Sequence, residues 1–577
     1  MNILKFKILN KPYFLVIILT LLIIPTFVSL LRTGYFPMQD DLQAFRVHQM
    51  DKCIQDMQIP CRWVPDAGYQ YGYPQFNYYP PSVYYLGEVL HLIGFQFIDS
   101  VKILFILGFI FSAWAMFLFL RAVFGNWSAL VGAVLYSYAP YKAVDVYVRG
   151  ALSEFWAFVF FPLIFWAIFR LIKTGSNKYI GFLAVSIGLL LITHNLMSLI
   201  FLPLALVWGI FFLYLEKNFR ERFLKLFFGG LLGLSLAAFF TLPVLFEKQY
   251  AHLESLIGGY FDWRQHFVDI SQLFLSNHFG YGSSNLGPGD DLSLSTGQIP
   301  LVIALVGVAL ALIFYSNKRQ RSLHKEDSKI AKVVIAFFAV DLFVLFLIHQ
   351  KSSFIWEKLP ILHYLQFPWR ILADSVFLLS LLSAASIYLI KDKKLSIFVG
   401  ALGIFLSLTL YGSFFTPLSW LNISDEEKFS GIYWEKQLTI SIFDYLPIYG
   451  KLPPNHKAPD FPEVLDGKAE FLSYKKGSNF QLGEFNAGEM STLRLPLFDF
   501  PGMEVKLDGK KTTHINNDCR LEEYCFGLIT VSVPEGSHFI ETRLEDTPIR
   551  RIGNLLSLFG ILAVSFIFFK HRKDEKH

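Results

Sequence analysis

Two adjacent carboxylates, Asp40 and Asp41, stand in the stretch GYFPMQDDLQAF (34–45), directly after the first strongly apolar run of the chain. An acid beside a bilayer is costly unless it is paired or used. Capping is one such use, because Asp40 with Gln43 three residues on fits a capping box at the head of a helix. That accounts for one acid rather than two, and a capped helix end also holds its side chains rigidly.

Other groups of suitable type surround the pair in sequence or recur at the ends of apolar runs. Arg46 and His48 follow at once. Val47, Met50, Ile54 and Met57, at spacings of three and four, predict the apolar stripe of a helix lying on the membrane. Asp41 and His48, seven apart, then share its polar face. The next stretch, PCRWVPDAGYQYGYPQFNYYPPSVYYLG (60–87), is dense in Pro, Gly and Tyr. It reads as an irregular loop whose aromatic faces and hydroxyls, Tyr78 and Tyr79 among them, meet a polar ligand. DVYVRGALSE (145–154), THN (193–195) and LQFPWR (365–370) bring Arg149, Glu154, His194, Asn195, Gln366 and Arg370 to span ends. Each has a structural explanation alone: an Arg149–Glu154 ion pair, an interhelical hydrogen bond for His194 and Asn195, snorkelling for Arg370. Together they set His, Asn, Arg and acids at one depth, a candidate site for an anionic, lipid-borne substrate.

The elements that must position these groups are mostly membrane spans. Of 577 residues, 54% are hydrophobic, 17% aromatic and 17% charged, and Phe alone occupies 61 positions. A soluble protein carries more charge and fewer long apolar runs. The net charge of +5 does not point to nucleic acid, since the basic residues cluster between apolar runs and orient them. Apolar runs lie at 12–31, 101–120, 127–140, 155–172, 179–194, 196–215, 224–243, 298–315, 331–348, 371–390, 395–415 and 549–569. The start could pass for a signal peptide, but its run is long and no small-residue cleavage site follows, so it reads as a retained span. Alternate connections are basic, such as RLIKTGSNK (170–178), KDKK (391–394) and the tail KHRKDEKH (570–577). The expectation is an α-helical polytopic membrane protein of about twelve spans in the cell membrane, with both termini cytoplasmic and the site outside. Segment 82–98 is placed as a helix on the outer face, because a further span would invert every later connection.

Five regions follow: a first span (1–31), a first outer loop with surface helices (32–100), a helix bundle (101–420), a β-rich outer domain (421–547), and a last span with its basic tail (548–577). The β domain is read from short alternating runs such as GLITVSV and HFIETRL, broken by DGK, NND and PEG. Four cysteines fall as two local pairs, Cys53 with Cys61 and Cys519 with Cys525, which predicts two disulfides on an oxidising side. Neither pair has CxxC spacing and no His cluster accompanies them, which speaks against zinc. GxxxxGK[ST], GxSxG and HExxH are absent.

In order along the chain, a first span, an acidic pair, a surface helix and an aromatic loop ending in YPPSVYYLG resemble the GT-C superfamily of membrane glycosyltransferases. More narrowly, YGYPQFNYYPPSVYYLG, YVRGALSEF, LITHNLMSL, LQFPWRIL and LFDFPGMEVKLDGK with GLITVSVPEGSHFIE are similar to a bacterial group labelled membrane protein, 6-pyruvoyl-tetrahydropterin synthase-related. The pterin part of that label finds no histidine-based zinc site here. The GT-C resemblance implies sugar transfer from a polyprenyl-phosphate carrier to an extracytoplasmic acceptor: a cell-envelope glycan, glycolipid or glycoprotein. It implies that Asp40 and Asp41 carry the acidic motif that in relatives holds a divalent metal, Mg2+ or Mn2+, or acts as a base. The acids are adjacent here rather than spaced D-x-D, so the metal stays open. Arg149, Arg370 or a metal would then stabilise the departing phosphate. Rival readings are a carrier or flippase for a lipid-linked sugar, and a non-catalytic binding or scaffold protein on the same frame.

Overall fold

The computed structural model describes residues 12–216, 218–286, 290–316, 324–516 and 525–574. Among them, eight helices are long and apolar enough to cross a membrane, and a ninth crossing results if the pair Phe219–Leu236 and Ala238–Phe246, bent by 75°, is one broken span. The expected number near twelve is higher, and helix length explains the difference. The runs at 12–31, 127–140 and 179–194 form the helices Pro12–Ile23, Asn126–Ser137 and Lys178–Thr193, of 12, 12 and 16 residues. At ~1.5 Å per residue these reach roughly 18–24 Å, short of a ~30 Å hydrocarbon layer.

Segment 82–98 forms no helix long enough to cross a membrane either. Ser82–Leu92 is an 11-residue helix, followed by a turn into the long span Phe97–Phe124. That span packs along Leu152–Thr174 and Asn126–Ser137. The centre of the bundle is aromatic: Phe161 stacks on Phe201 at 3.7 Å, and Phe165, Phe377 and Trp208 close round them. Leu372–Leu389 is the most enclosed span, buried along almost all its length.

Strand structure begins at Glu463, later than the composition change at 421. Two short helices, Asp425–Lys428 and Gly431–Thr439, come first. The strands β1 (Glu463–Asp466), β2 (Ala469–Lys476), β3 (Phe480–Ala487), β4 (Ser491–Phe498), β5 (Met503–Leu507), β6 (Lys510–Thr512), β7 (Leu528–Val533) and β8 (Gly536–Leu544) make two antiparallel sheets. Their orders are β1-β4-β7 and β2-β3-β8-β5-β6. Val531, Val533, Leu493, Leu495, Phe485 and Ile540 fill the space between them. The loop after Gln43–Gln55 docks on this domain: Phe498 N–H donates to Tyr71 O at 3.2 Å, and Trp63 packs on Phe500. Cys53 and Cys61 are joined by a disulfide at the end of the Gln43–Gln55 helix. Cys519, of the second expected pair, lies outside the described residues.

Candidate functional site

The main chain at Asp40 is a turn rather than the start of a helix. Gln39 N–H donates to Val148 O at 3.0 Å and Asp40 N–H donates to Arg149 O at 2.9 Å, so this stretch lies against residues 148–150. Helix Gln43–Gln55 starts two residues beyond Asp41, and no side chain caps it. The expected capping box is therefore corrected. Gln43 Nε2 donates to Asp40 Oδ2 at 2.9 Å and to Gly150 O at 2.8 Å, while Gln43 Oε1 accepts from Tyr84 OH at 2.7 Å. The glutamine that was to close the cap is used instead to orient the acid.

Each acid is held by a buried cation. Arg46 Nη1 meets Asp40 Oδ2 at 2.9 Å, and its guanidinium lies 4.3 Å from the centre of the Tyr79 ring. Lys428, 387 positions away on the Asp425–Lys428 helix, meets Asp41 Oδ2 at 2.7 Å. Asp40 and Asp41 keep 37% and 31% of their side-chain surface open, whereas Arg46 and Lys428 keep 6% and 2%. The acids are thus anchored by buried cations and partly open to solvent, Asp41 through atoms other than its buried Oδ1. Asp41 Oδ1 and Arg46 Nε are buried and find no hydrogen-bond partner among the described residues. Burial raises the Asp41 carboxyl above its ordinary value, although the Lys428 ammonium pulls it back down.

Beside the pair runs a narrow cleft of about 50 Å³, lined by Arg46, Tyr73, Tyr79, Gln437, Asp444 and Tyr445 among others. Gln437 donates to Lys428 O and Tyr433 O, and its buried Oε1 has no partner. Burial pushes the Asp444 carboxyl up to about 6, with Ser441, Arg46 and Asp40 as its polar neighbours. Hydroxyls of other tyrosines in the 60–87 loop are engaged by the protein itself. Tyr78 OH donates to Glu247 O at 2.8 Å, Tyr85 OH accepts from Cys61 N–H at 2.8 Å, and Tyr69 OH is taken by Glu435.

Arg149, Glu154, Gln366 and Arg370 meet in one buried network. Glu154 Oε2 accepts from Arg149 Nη2 at 2.8 Å and from Arg370 Nε at 3.1 Å, and Glu154 Oε1 accepts from Tyr141 OH at 2.5 Å. Arg370 Nη1 reaches Gln366 Oε1 at 2.8 Å, while Arg149 also pairs with Asp145 and lies over the Trp369 ring at 4.7 Å. The backbone here is a π-helical turn, Val144–Arg149, closed by Gly150 at φ +65°. Such turns re-aim side chains locally. His194 caps the following span by accepting Met197 N–H at 3.1 Å, and Asn195 accepts from its neighbour Leu196 N–H.

Asp41 precedes the Gln43–Gln55 helix, and His48 does not stand open on it: its ring stacks on Phe429, next to the Lys428 that pairs with Asp41, and meets Phe97 and Trp434 edge-on, and burial pushes its pKa down to about 4. Nor does the helix lie free on a membrane. Val47 and Met50 are fully buried, against the Ser82–Leu92 helix and the first long span, while Met57 falls past the helix end and is exposed. Lys428, Gln437 and Asp444 were not foreseen, since a lysine in SDEEKFSG reads as part of a solvated charge run.

The donor set does not fit a divalent ion. Both Oδ2 atoms already face buried cations, and among the described residues no three His, Cys, Asp or Glu side chains gather into a metal-holding group.

The chain matches no protein-family model. It is 25% identical over 329 residues, 54% of this chain and 50% of the other, to an uncharacterized protein of Lactococcus lactis subsp. cremoris. It therefore spans about half the length of the curated relative it matches. Among solved structures, it is similar to arabinofuranosyltransferase AftD from Mycobacteria, with 13% identity and a TM-score of 0.46 over 72% of this chain and 28% of that one. It is also similar to the archaeal oligosaccharyltransferase AglB from Archaeoglobus fulgidus, with 12% identity and a TM-score of 0.41 over 78% of this chain and 61% of that one.

Proposed function

We propose that this protein is a membrane glycosyltransferase of the GT-C type. It takes a sugar from a polyprenyl-phosphate carrier and passes it to a hydroxyl-bearing acceptor on the extracytoplasmic side. One observation carries the reading: Asp41 is gripped by Lys428 through one oxygen while its other oxygen is desolvated and unspent. A carboxylate so placed is a stronger base than one in water.

The reaction follows from that arrangement. The Asp41 carboxylate takes the proton of the acceptor hydroxyl, and the acceptor oxygen bonds to the anomeric carbon. The bond from that carbon to the phosphate oxygen breaks, its electron pair leaving with the phosphate, and the configuration inverts. Arg46, whose Nε–H has no protein partner, supplies positive charge to the departing phosphate. Asp40 holds Arg46 and Gln43 in register. The Arg149–Glu154–Arg370 network, whose two cations are balanced by Glu154 and Asp145, carries the backbone on which Asp40 rests. The narrow cleft admits the edge of a sugar ring, and the remainder of the donor lies over the open faces of the acids. No step passes through a metal.

The test is Asp41→Asn, which keeps shape and removes the base. The expected result is a folded protein at near-normal level, with a thermal midpoint lowered no further than in Lys428→Met because the same ion pair is lost, and with the host's envelope glycan profile altered as in a deletion strain. A normal glycan profile in that variant, or in the deletion itself, overturns the proposal.

A further inference from the structure

A second hollow lies at the far end of the helix that follows the acids. It holds about 340 Å³, nearly seven times the cleft beside Arg46, and falls in the size range of small-molecule sites. One wall is the first loop, with Lys52, Gln55, Asp66 and Gln70; the other is the β domain, with Lys476, Ser478 and Gln481. The two walls are tied where they meet: Ser478 N–H donates to Asp56 Oδ2 at 2.5 Å, and Gln58 Nε2 donates to Ser478 Oγ at 3.2 Å.

The chemistry of the lining discriminates among ligands. Its carboxylates are Asp56, Asp66 and Asp460 and its ammonium groups Lys52 and Lys476, so neither sign dominates. Asp66 is already paired with Lys52 at 2.5 Å and accepts a hydrogen bond from Gln49 Nε2 at 2.6 Å. A phosphate receptor requires an excess of cations, and an apolar peptide requires apolar pockets. What remains is a surface of paired charges and side-chain amides, with donors and acceptors interleaved, beside the rings of Trp63 and Phe480. That pattern matches a polyhydroxylated, uncharged chain. Position agrees with chemistry, since the 13-residue helix Gln43–Gln55 runs from the acids to this hollow, ~18 Å at ~1.5 Å per residue.

We infer that the hollow between the first loop and the β domain binds an oligosaccharide: the acceptor glycan beyond its reacting end. The inference rests on the transferase reading, and its test separates the two. The full-length protein in lipid nanodiscs is titrated calorimetrically with oligosaccharides released by mild acid from the host's own envelope and separated by size. Fractions of several sugars are expected to bind saturably and single sugars not to bind. Gln55→Trp and Gln70→Trp, which fill the hollow from two places, are expected to weaken binding about tenfold or more. Asp41→Asn is expected to bind as the wild type does. Absence of saturable binding by every fraction, or wild-type binding by both Trp variants, overturns the inference. If the long fractions bind while Asp41→Asn leaves the glycan profile normal, the hollow stands and the transferase reading falls.

Discussion

The backbone N–H of Asp40 donates to the carbonyl oxygen of Arg149 at 2.9 Å. This bond joins two groups of charged side chains that are 109 positions apart in the chain. On one side are the acids with Arg46 and Lys428; on the other is the buried Glu154 network. Gln43 spans the same seam through Gly150 O. Disturbing residues 148–150 therefore moves Asp40 without touching it.

Gly150 is the sharpest place to do so. It sits at φ +65°, and a Cβ there would fall 2.2 Å from Met38 Sδ. A non-glycine residue in this conformation costs about 1–2 kcal/mol before the overlap is counted. Gly150→Ala is expected to lower the thermal midpoint and, more strongly, to fail to restore the glycan profile of a deletion strain, since the overlap with Met38 displaces the stretch that carries Asp40. Full complementation of a deletion strain by Gly150→Ala would contradict this coupling.

Lys428→Met removes the cation behind Asp41 and leaves the acid partly desolvated. Breaking a fully buried pair costs about 3–5 kcal/mol. Asp41 retains 31% of its surface, so on the order of 1–2 kcal/mol is expected here. The pH dependence is more specific. Lys428 lowers the Asp41 pKa, so its loss raises it, and the acid limb of the transfer rate, where the base becomes protonated, moves to higher pH. Lys428→Arg is expected to restore most of that limb. An unmoved limb in Lys428→Met would exclude Asp41 as the titrating base.

How much of this arrangement was legible beforehand depends on distance along the chain. Asp40 and Asp41 stand out because an acid beside an apolar run is costly wherever it falls. Arg149 and Glu154, five apart, invite pairing for the same reason, and the structure adds Gln366 and Arg370 to them. Lys428 and Asp444 lie hundreds of residues from their partners, in short irregular pieces with no periodicity to betray a buried face. Local pattern also misassigned Gln43: a capping box and a side-chain bridge to Gly150 need the same residue at the same spacing, and only the approach of residues 148–150 decides between them. Span number failed for another reason, since hydropathy marks an apolar run but not where the helix within it stops.

Asp444 gives a second pH test, of stability rather than rate. Its pKa rises from an ordinary 3.8 to about 6, chiefly through burial. A raised carboxylate pKa means that the folded state holds the proton more tightly than the unfolded chain. The charged form therefore burdens the fold above pH 6, the burden shrinks as pH falls from 6 towards 4, and it is gone below 4. The gap sets an upper bound of ~3 kcal/mol, and partial exposure lowers it. Asp444→Asn is expected to raise the thermal midpoint at pH 7.5 and to leave it unchanged at pH 4. A gain of equal size at both values would mean that charge is not the cause.

The tie between the β domain and the bundle is testable through Glu247 and Arg550. Arg550 Nε donates to Glu247 Oε2 at 3.0 Å, and the two side chains are 0% and 3% exposed. Asn77 and Thr547 donate to the same carboxylate, which thus collects the first loop, the end of the β domain and the last span at one point. Arg550→Leu leaves a buried carboxylate with only neutral donors, and a loss of about 3–5 kcal/mol is expected. Replacing both partners with leucine removes the uncompensated charge as well, so the double variant should recover much of that loss. Limited proteolysis near residues 545–548 offers an independent measure: cleavage should rise in Arg550→Leu and fall back in the double variant. Additive losses in the double variant would show that the pair contributes through packing alone.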